Sequence, residues 1–220
     1  MIDKAHQLLQ RAKAVIFDMD GVLVDTMPFW EEAKKLFLER HTIPHDQLIP
    51  QTYGMGLKDI IELYKEQRGL QGDTAILAAE FREIVYQLLK EKGLLPLPGT
   101  IAFVSTLSLQ KSLAVATGGH TGVVAKELLA DVGLAQYFTY IISSDEVKKG
   151  KPAPDVFLFA AEKLGQKPEH CVVVEDAVNG VMAGVAGKIP VIGVNKHEET
   201  RKKLLTAGAT TVVSSFEDLL

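Results

Sequence analysis

The chain is 220 residues long, 47% hydrophobic and 24% charged, which suits one generous globular core or a core with a small accessory domain. A formal net charge of -4 and the lack of a dense Lys/Arg stripe count against nucleic acid as a partner. Met1–Leu9 holds no signal-peptide apolar stretch, no apolar run reaches the roughly 18 residues that cross a bilayer, and the single cysteine leaves no internal disulfide, so a cytoplasmic setting without membrane contact is expected.

In chain order, a strand is expected at about 13–18, where an apolar run ends in Asp18-Met19-Asp20-Gly21. From 27 to 93 the apolar residues recur at helical spacing, as in Phe29, Ala33, Leu36 and Phe37, then Ile60, Ile61 and Tyr64, then Leu77, Phe81, Ile84, Val85, Leu88 and Leu89. That pattern reads as three or four helices and no strand. After Leu95-Pro96-Leu97-Pro98-Gly99 the texture alternates. Short Val/Ile/Ala runs at 112–116, 139–142, 171–175, 190–194 and 211–213 are separated by helix-like segments at about 100–109, 121–132, 154–165, 178–187 and 198–207. Strands alternating with helices imply an open, doubly wound parallel sheet covered on both faces. The helical stretch is then an insertion after the first strand. The expected division is core at 1–24, a helical unit at 25–94 and the remaining α/β core at 95–220, with hinges at Val24-Asp25-Thr26 and Leu95–Pro98.

In such sheets ligands collect beyond the carboxyl ends of the strands. Period-two geometry puts the carboxylates of Asp18 and Asp20 on the same side there, and Gly21 lets the chain turn away. Two adjacent anions are costly unless a cation neutralises them, and oxygen ligands of this hardness suit Mg2+. One carboxylate is then placed to be a nucleophile and the other a proton carrier. Alone, D-x-D-G is an ordinary strand followed by a turn. It is accompanied, in order, by Ala114-Val115-Ala116-Thr117-Gly118-Gly119, by Gly150-Lys151-Pro152-Ala153-Pro154-Asp155 and by Val172-Val173-Val174-Glu175-Asp176. Gly118-Gly119 permits backbone N–H groups to approach an oxyanion. Lys151, preceding Pro152, projects from a loop as a point charge.

With these four segments in this order, the chain resembles the haloacid dehalogenase-like superfamily of phosphohydrolases over nearly its whole length. The resemblance implies a Rossmann-like core under an all-helical cap. It implies Asp18 as nucleophile, Asp20 as general acid/base, and Thr117, Gly118 and Lys151 as phosphoryl ligands. It also implies Mg2+ held by Asp18, the backbone carbonyl of Asp20 and Asp176, with Glu175 supporting directly or through water. Lys148 and Lys149 read as solvated, Lys149 being the alternative to Lys151, and Asn179-Gly180 is expected to open the next helix. Cys171 reads as a small buried apolar residue.

Two departures narrow the chemistry. Trp30 stands where the β-phosphoglucomutase branch has a histidine, which favours hydrolysis over a mutase, and Asp20 argues against C–halogen cleavage. Tyr53-Gly54-Met55-Gly56-Leu57-Lys58 resembles the family's specificity loop, so Trp30, Tyr53 and Lys58 are candidate substrate contacts, with cap core as the other reading of the aromatic residues. His120, just beyond the glycine pair, reads as an exposed loop side chain, with a substrate contact as the other reading. The expected activity is a Mg2+-dependent phosphatase acting on a small phosphorylated metabolite, such as a sugar phosphate, through an aspartyl phosphate, in a monomer or weak homodimer. The alternatives are a hexose-phosphate mutase and a receiver-like phosphoryl switch. The first-strand D-x-D and the helical insertion speak against the switch.

Overall fold

The first strand, β1 (Ala14–Phe17), is buried throughout and feeds two cores at once, Val15 and Phe17 into one and Ala14 and Ile16 into the other. The structure, a computed structural model, describes residues 1–44, 52 and 55–220. Five further strands join β1: β2 (Ser112–Thr117), β3 (Tyr140–Ser143), β4 (Cys171–Glu175), β5 (Val191–Val194) and β6 (Thr211–Val213). All pair in parallel, in the order β3-β2-β1-β4-β5-β6. The register sets Phe17 beside Val115 on one flank and Val174 on the other, so β1, β2 and β4 end level with one another.

One face of the sheet carries α1 (Ile2–Arg11), α5 (Thr100–Ser108) and α6 (Gly122–Asp131), and the other carries α7 (Asp155–Lys163), α8 (Val178–Ala186) and α9 (Glu198–Thr206). The sequence pattern does not flag α1. It is polar except for a sparse stripe whose Ala5 and Leu9 are buried, and Thr211 Oγ1 donates to Met1 O at 2.9 Å to pin its start against β6. Leu36, included in the apolar stripe of the second helix, is 37% exposed.

Between β1 and α5 stand α2 (Met27–Arg40), α3 (Leu57–Arg68) and α4 (Thr74–Lys92), the all-helical cap, packed on one another through Ala33, Phe37, Ile61, Tyr64, Phe81 and Val85. Asp73 caps α4 by accepting from Ala75 N and Ile76 N, and Gly69 ends α3 at φ 70°. The two connectors lie side by side. Asp25 N donates to Leu95 O at 3.0 Å, Leu97 N donates to Leu23 O at 3.1 Å, and Val24 and Pro96 form an antiparallel bridge. Among the described residues no helix is long and apolar enough to cross a membrane.

Phe17 anchors the face beneath α5 through edge contacts with Phe103, Phe138 and Phe216, and Phe103 stacks on Phe216 with centroids 4.8 Å apart. Phe216, at 1% exposure, closes that cluster from the C-terminal turn, far along the chain from the strand-end carboxylates. Phe216→Ala is expected to lower the unfolding free energy in urea by about 3–5 kcal/mol. A loss below about 1 kcal/mol would mean that the cluster does not close the core.

Candidate active site

The order of the sheet reverses at β1, since the chain moves to β2 on one side and later returns to β4 on the other. The carboxyl ends of these three strands therefore open a crevice. Asp18 follows β1 with its N–H bonded to Val174 O at 3.0 Å, Thr117 ends β2, and Glu175 ends β4 with Asp176 next. Gly21 takes φ +80° to turn the chain, and a Cβ there would collide with Asp176 Oδ2, so position and neighbour both demand glycine.

Lys151 enters from the loop before α7 and is 1% exposed. Its ammonium donates to Asp18 Oδ1 at 2.5 Å and to Glu175 Oε1 at 2.7 Å, over the Phe157 ring at 4.7 Å. Glu175 Oε2 accepts from Asp176 N and Ala177 N, each at 2.9 Å, so both of its oxygens are engaged. Carboxylate oxygens of Asp18, Glu175 and Asp176 all lie within 4.8 Å of one another and all three residues are buried. A crowded, all-oxygen donor set of this kind fits a hard divalent cation.

Asp20 points at the helical unit. Its Oδ1 accepts from Thr26 Oγ1 at 2.6 Å and Trp30 Nε1 at 3.0 Å and lies 3.2 Å from His120 Nε2, while Thr117 Oγ1 is 3.3 Å from Oδ2. His120 corrects the expectation of an exposed loop side chain, for it is 1% exposed. The glycine pair explains why. Gly119 is so close to the Trp30 ring that a Cβ would collide with it, which draws the chain under α2, and Ser143 Oγ then holds His120 O at 2.7 Å.

Trp30 thus touches Asp20 and packs on Phe81 and His120. Gly118 contributes its backbone, its carbonyl accepting from Leu57 N at 3.2 Å. Lys58 is not brought to the crevice. It pairs with Asp145 at 3.3 Å, beside Arg82, which reaches Asp145 at 2.7 Å and Gly119 O at 3.1 Å. Tyr53 lies outside the described residues. Lys148 and Lys149 are exposed, Asn179 and Gly180 fall in the first turn of α8, and Cys171 is buried with its thiol pushed up to about 11 by burial.

Between sheet edge and helices lies a cavity of about 80 Å³ that opens to solvent on one side. Asp18, Asp20, Lys151 and Asp176 floor it. The sequence reading missed Thr26, Glu31, Lys34 and Arg82 as site residues. The signal for two of them was available, because Met27, Trp30, Glu31 and Lys34 recur at i, i+3, i+4, i+7 and all line this cavity.

The sequence profile of the haloacid dehalogenase-like hydrolases matches residues 12–187. The chain belongs to that family. It is 34% identical to hexitol phosphatase A of Escherichia coli (strain K12) over 193 residues, 86% of each chain. It is also 34% identical to the fructose-1-phosphate phosphatase of the same organism over 188 residues, 85% of this chain and 98% of the other. The crystal structure of a hydrolase from Pseudomonas syringae superposes with a TM-score of 0.80 at 26% identity, covering 94% and 95% of the two chains.

In this hydrolase the two aspartates of D-x-D are driven apart. Burial raises Asp18 from 3.8 to about 7, with Glu175 and Asp20 adding to the rise and Lys151 opposing it. Burial would raise Asp20 too, but the charge His120 carries when protonated, with hydrogen bonds from His120, Thr26 and Trp30, outweighs it and holds Asp20 at about 2. Asp176 is raised, by burial first and then by Glu175 and Asp18, and Lys151 is raised because its two carboxylates outweigh burial.

The sign of the resulting pH effect follows. Above pH 3.8 an unfolded chain has released the Asp18 proton, whereas the folded protein keeps it until about 7. Folding then takes up a proton, so stability falls as pH rises through this window, with Asp176 acting in the same direction. In chelator, melting temperature is expected to fall between about pH 5 and pH 8, and Asp18→Asn is expected to flatten the slope by about one proton. A variant with the wild-type slope would contradict the placement of that proton.

Proposed function

We propose that this hydrolase is a Mg2+-dependent phosphatase that cleaves a small phosphomonoester through an aspartyl phosphate on Asp18. The observation that carries the reading is the buried Lys151 ammonium between Asp18 and Glu175, with Asp176 and Asp20 on the same cavity floor. The two relatives named for acting on a hexitol phosphate and on fructose 1-phosphate support a phosphorylated polyol or sugar as substrate. Trp30 hydrogen-bonds Asp20 where a mutase of this branch has its histidine, which favours transfer to water.

Asp18 attacks phosphorus in line with the departing oxygen. The bond from phosphorus to that oxygen breaks as Asp20 protonates it, releasing an alcohol. Asp20 then accepts a proton from water, whose oxygen attacks the aspartyl phosphate, and inorganic phosphate leaves with Asp18 restored. Thr117 Oγ1 and the backbone at Gly118 hold the phosphoryl oxygens, and Lys151 balances charge on Asp18 throughout. Asp18, the carbonyl of Asp20 and Asp176 would hold the metal, while Glu175, its oxygens taken by Lys151 and two N–H groups, sets their positions. When bound, the ion neutralises charge on the transferring phosphoryl group.

Asp20 needs a proton for the first step although its neighbours favour the carboxylate. A phosphoryl dianion arriving beside it raises its pKa by like-charge repulsion, which loads the acid as substrate binds.

Asp18→Asn is expected to cut phosphate release from a panel of phosphorylated metabolites by about 10⁴-fold or more and to abolish trapping by beryllofluoride, because a covalent route fails as a unit. Retention of a tenth of the wild-type rate would exclude Asp18 as nucleophile. Chelation is expected to silence the enzyme, Mg2+ to restore it and Ca2+ to inhibit it through looser coordination. Full turnover in excess chelator would remove the metal from the mechanism.

A further inference from the structure

Helix α2 presents three different faces. Ala33, Phe37 and Leu38 are buried in the helical unit, Lys35 and Leu36 are exposed, and Met27, Trp30, Glu31 and Lys34 line the cavity. Trp30 is accounted for by its bond to Asp20. Glu31 and Lys34 are not, since neither touches any group used in the chemistry above. Among the described residues they hydrogen-bond only each other, Lys34 Nζ donating to Glu31 Oε1 at 3.0 Å. The Lys34 side chain is 13% exposed and that of Glu31 45%. An i, i+3 pair of this kind does little for a helix, and drawing an ammonium this far out of water costs more than the pair returns. Lys35, the next residue, shows that the same helix has a solvent face for a lysine.

The surroundings say what the pair could read. The other cap side chains on the cavity wall are Met27, Met55, Leu57, Ile60 and Phe81, with Trp30, suited to the C–H edges of a carbon skeleton, and Thr52. Against that wall an ammonium donates, a carboxylate accepts, and together they carry no net charge. Adjacent hydroxyl groups, each both donor and acceptor, match such a pair. A second phosphate or a carboxylate does not, because its attraction to Lys34 is offset by repulsion from Glu31.

We infer that Glu31 and Lys34 are the specificity-determining pair of this enzyme, gripping the uncharged polyhydroxy end of the leaving group and rejecting substrates with a second anionic group. The inference rests on the phosphatase reading above and assigns the residues that choose its substrate.

The test uses the full chain with Mg2+, as wild type, Lys34→Met and Glu31→Gln. The probes are a hexitol 6-phosphate, fructose 1,6-bisphosphate and p-nitrophenyl phosphate, which offers no hydroxyls. Lys34→Met is expected to lower the ratio of kcat/KM for the hexitol phosphate over the aryl phosphate by about tenfold, chiefly through KM, the scale of one charge-assisted contact. Glu31→Gln leaves Lys34 unbalanced, and is expected to raise the ratio of kcat/KM for the bisphosphate over the hexitol phosphate by about tenfold. Melting curves identify a variant that fails to fold, in which case Lys34→Gln replaces Lys34→Met. Ratios unmoved within twofold in both variants, or equal losses on all three probes, overturn the inference while the phosphatase reading stands. A wild-type enzyme that releases phosphate from none of the three overturns both.

Discussion

The buried ion pair of Lys151 with Asp18 and Glu175 is the constraint around which the rest of the molecule is arranged. Asp18, Glu175 and Asp176 are buried within one small volume, Asp20 stands beside them, and Lys151 is the cation among them. Such a cluster survives only if each charge has a fixed partner. The parallel register provides those positions. β1 and β4 end level, so Asp18 and Glu175 flank one ammonium, and the N–H groups of Asp176 and Ala177 occupy the remaining Glu175 oxygen. Even Gly180 belongs to this arrangement, because a Cβ there would strike the Glu175 carboxylate. Asp18, Glu175 and Asp176 thereby keep on the floor of the cavity an all-oxygen donor set of the kind a hard cation takes.

Besides a continuous apolar cluster, the helical unit is tied to that floor through Asp20. Thr26 and Trp30, at the hinge and the start of α2, both donate to Asp20, so the placement of the acid depends on the placement of the helices. The outer ties are polar: Lys58 and Arg82 to Asp145, Tyr86 to Glu127, Lys90 to Asp131. The pairs of Lys90 and Lys58 are exposed and worth little individually, whereas Arg82 is largely withdrawn from water.

The strands were readable because a buried parallel strand is nearly all apolar and is bounded by turns, as in Val172-Val173-Val174 before Glu175. The floor of the site was readable because its groups follow directly on those strands, so spacing along the chain reproduces spacing in space. The helical side of the site obeys no such rule. Lys34 and Glu31 belong to a cavity face that an apolar stripe leaves out, and Lys58, next to the predicted loop, turns to a core carboxylate that no local pattern announces. His120 follows two glycines, normally a sign of exposure, and is buried because those glycines admit the Trp30 ring. Helix α1 escaped for a simpler reason: two buried residues in ten make no period.

The protein by itself sets Asp18 near 7 and Asp20 near 2, which is the reverse of what the roles proposed for them require. Both offsets are electrostatic and each is answered by a charge the reaction brings. A cation beside Asp18 and Asp176 favours their ionised forms, and a phosphoryl dianion beside Asp20 favours its protonated one. The two carboxylates therefore exchange character only when cation and substrate are present together. On the roles proposed for them, Asp18 without the cation keeps its proton to about 7, and Asp20 accepts from Thr26 and Trp30 beside His120. That arrangement places the demand for selectivity on whatever holds the leaving group, which on the cavity wall facing the carboxylates is α2.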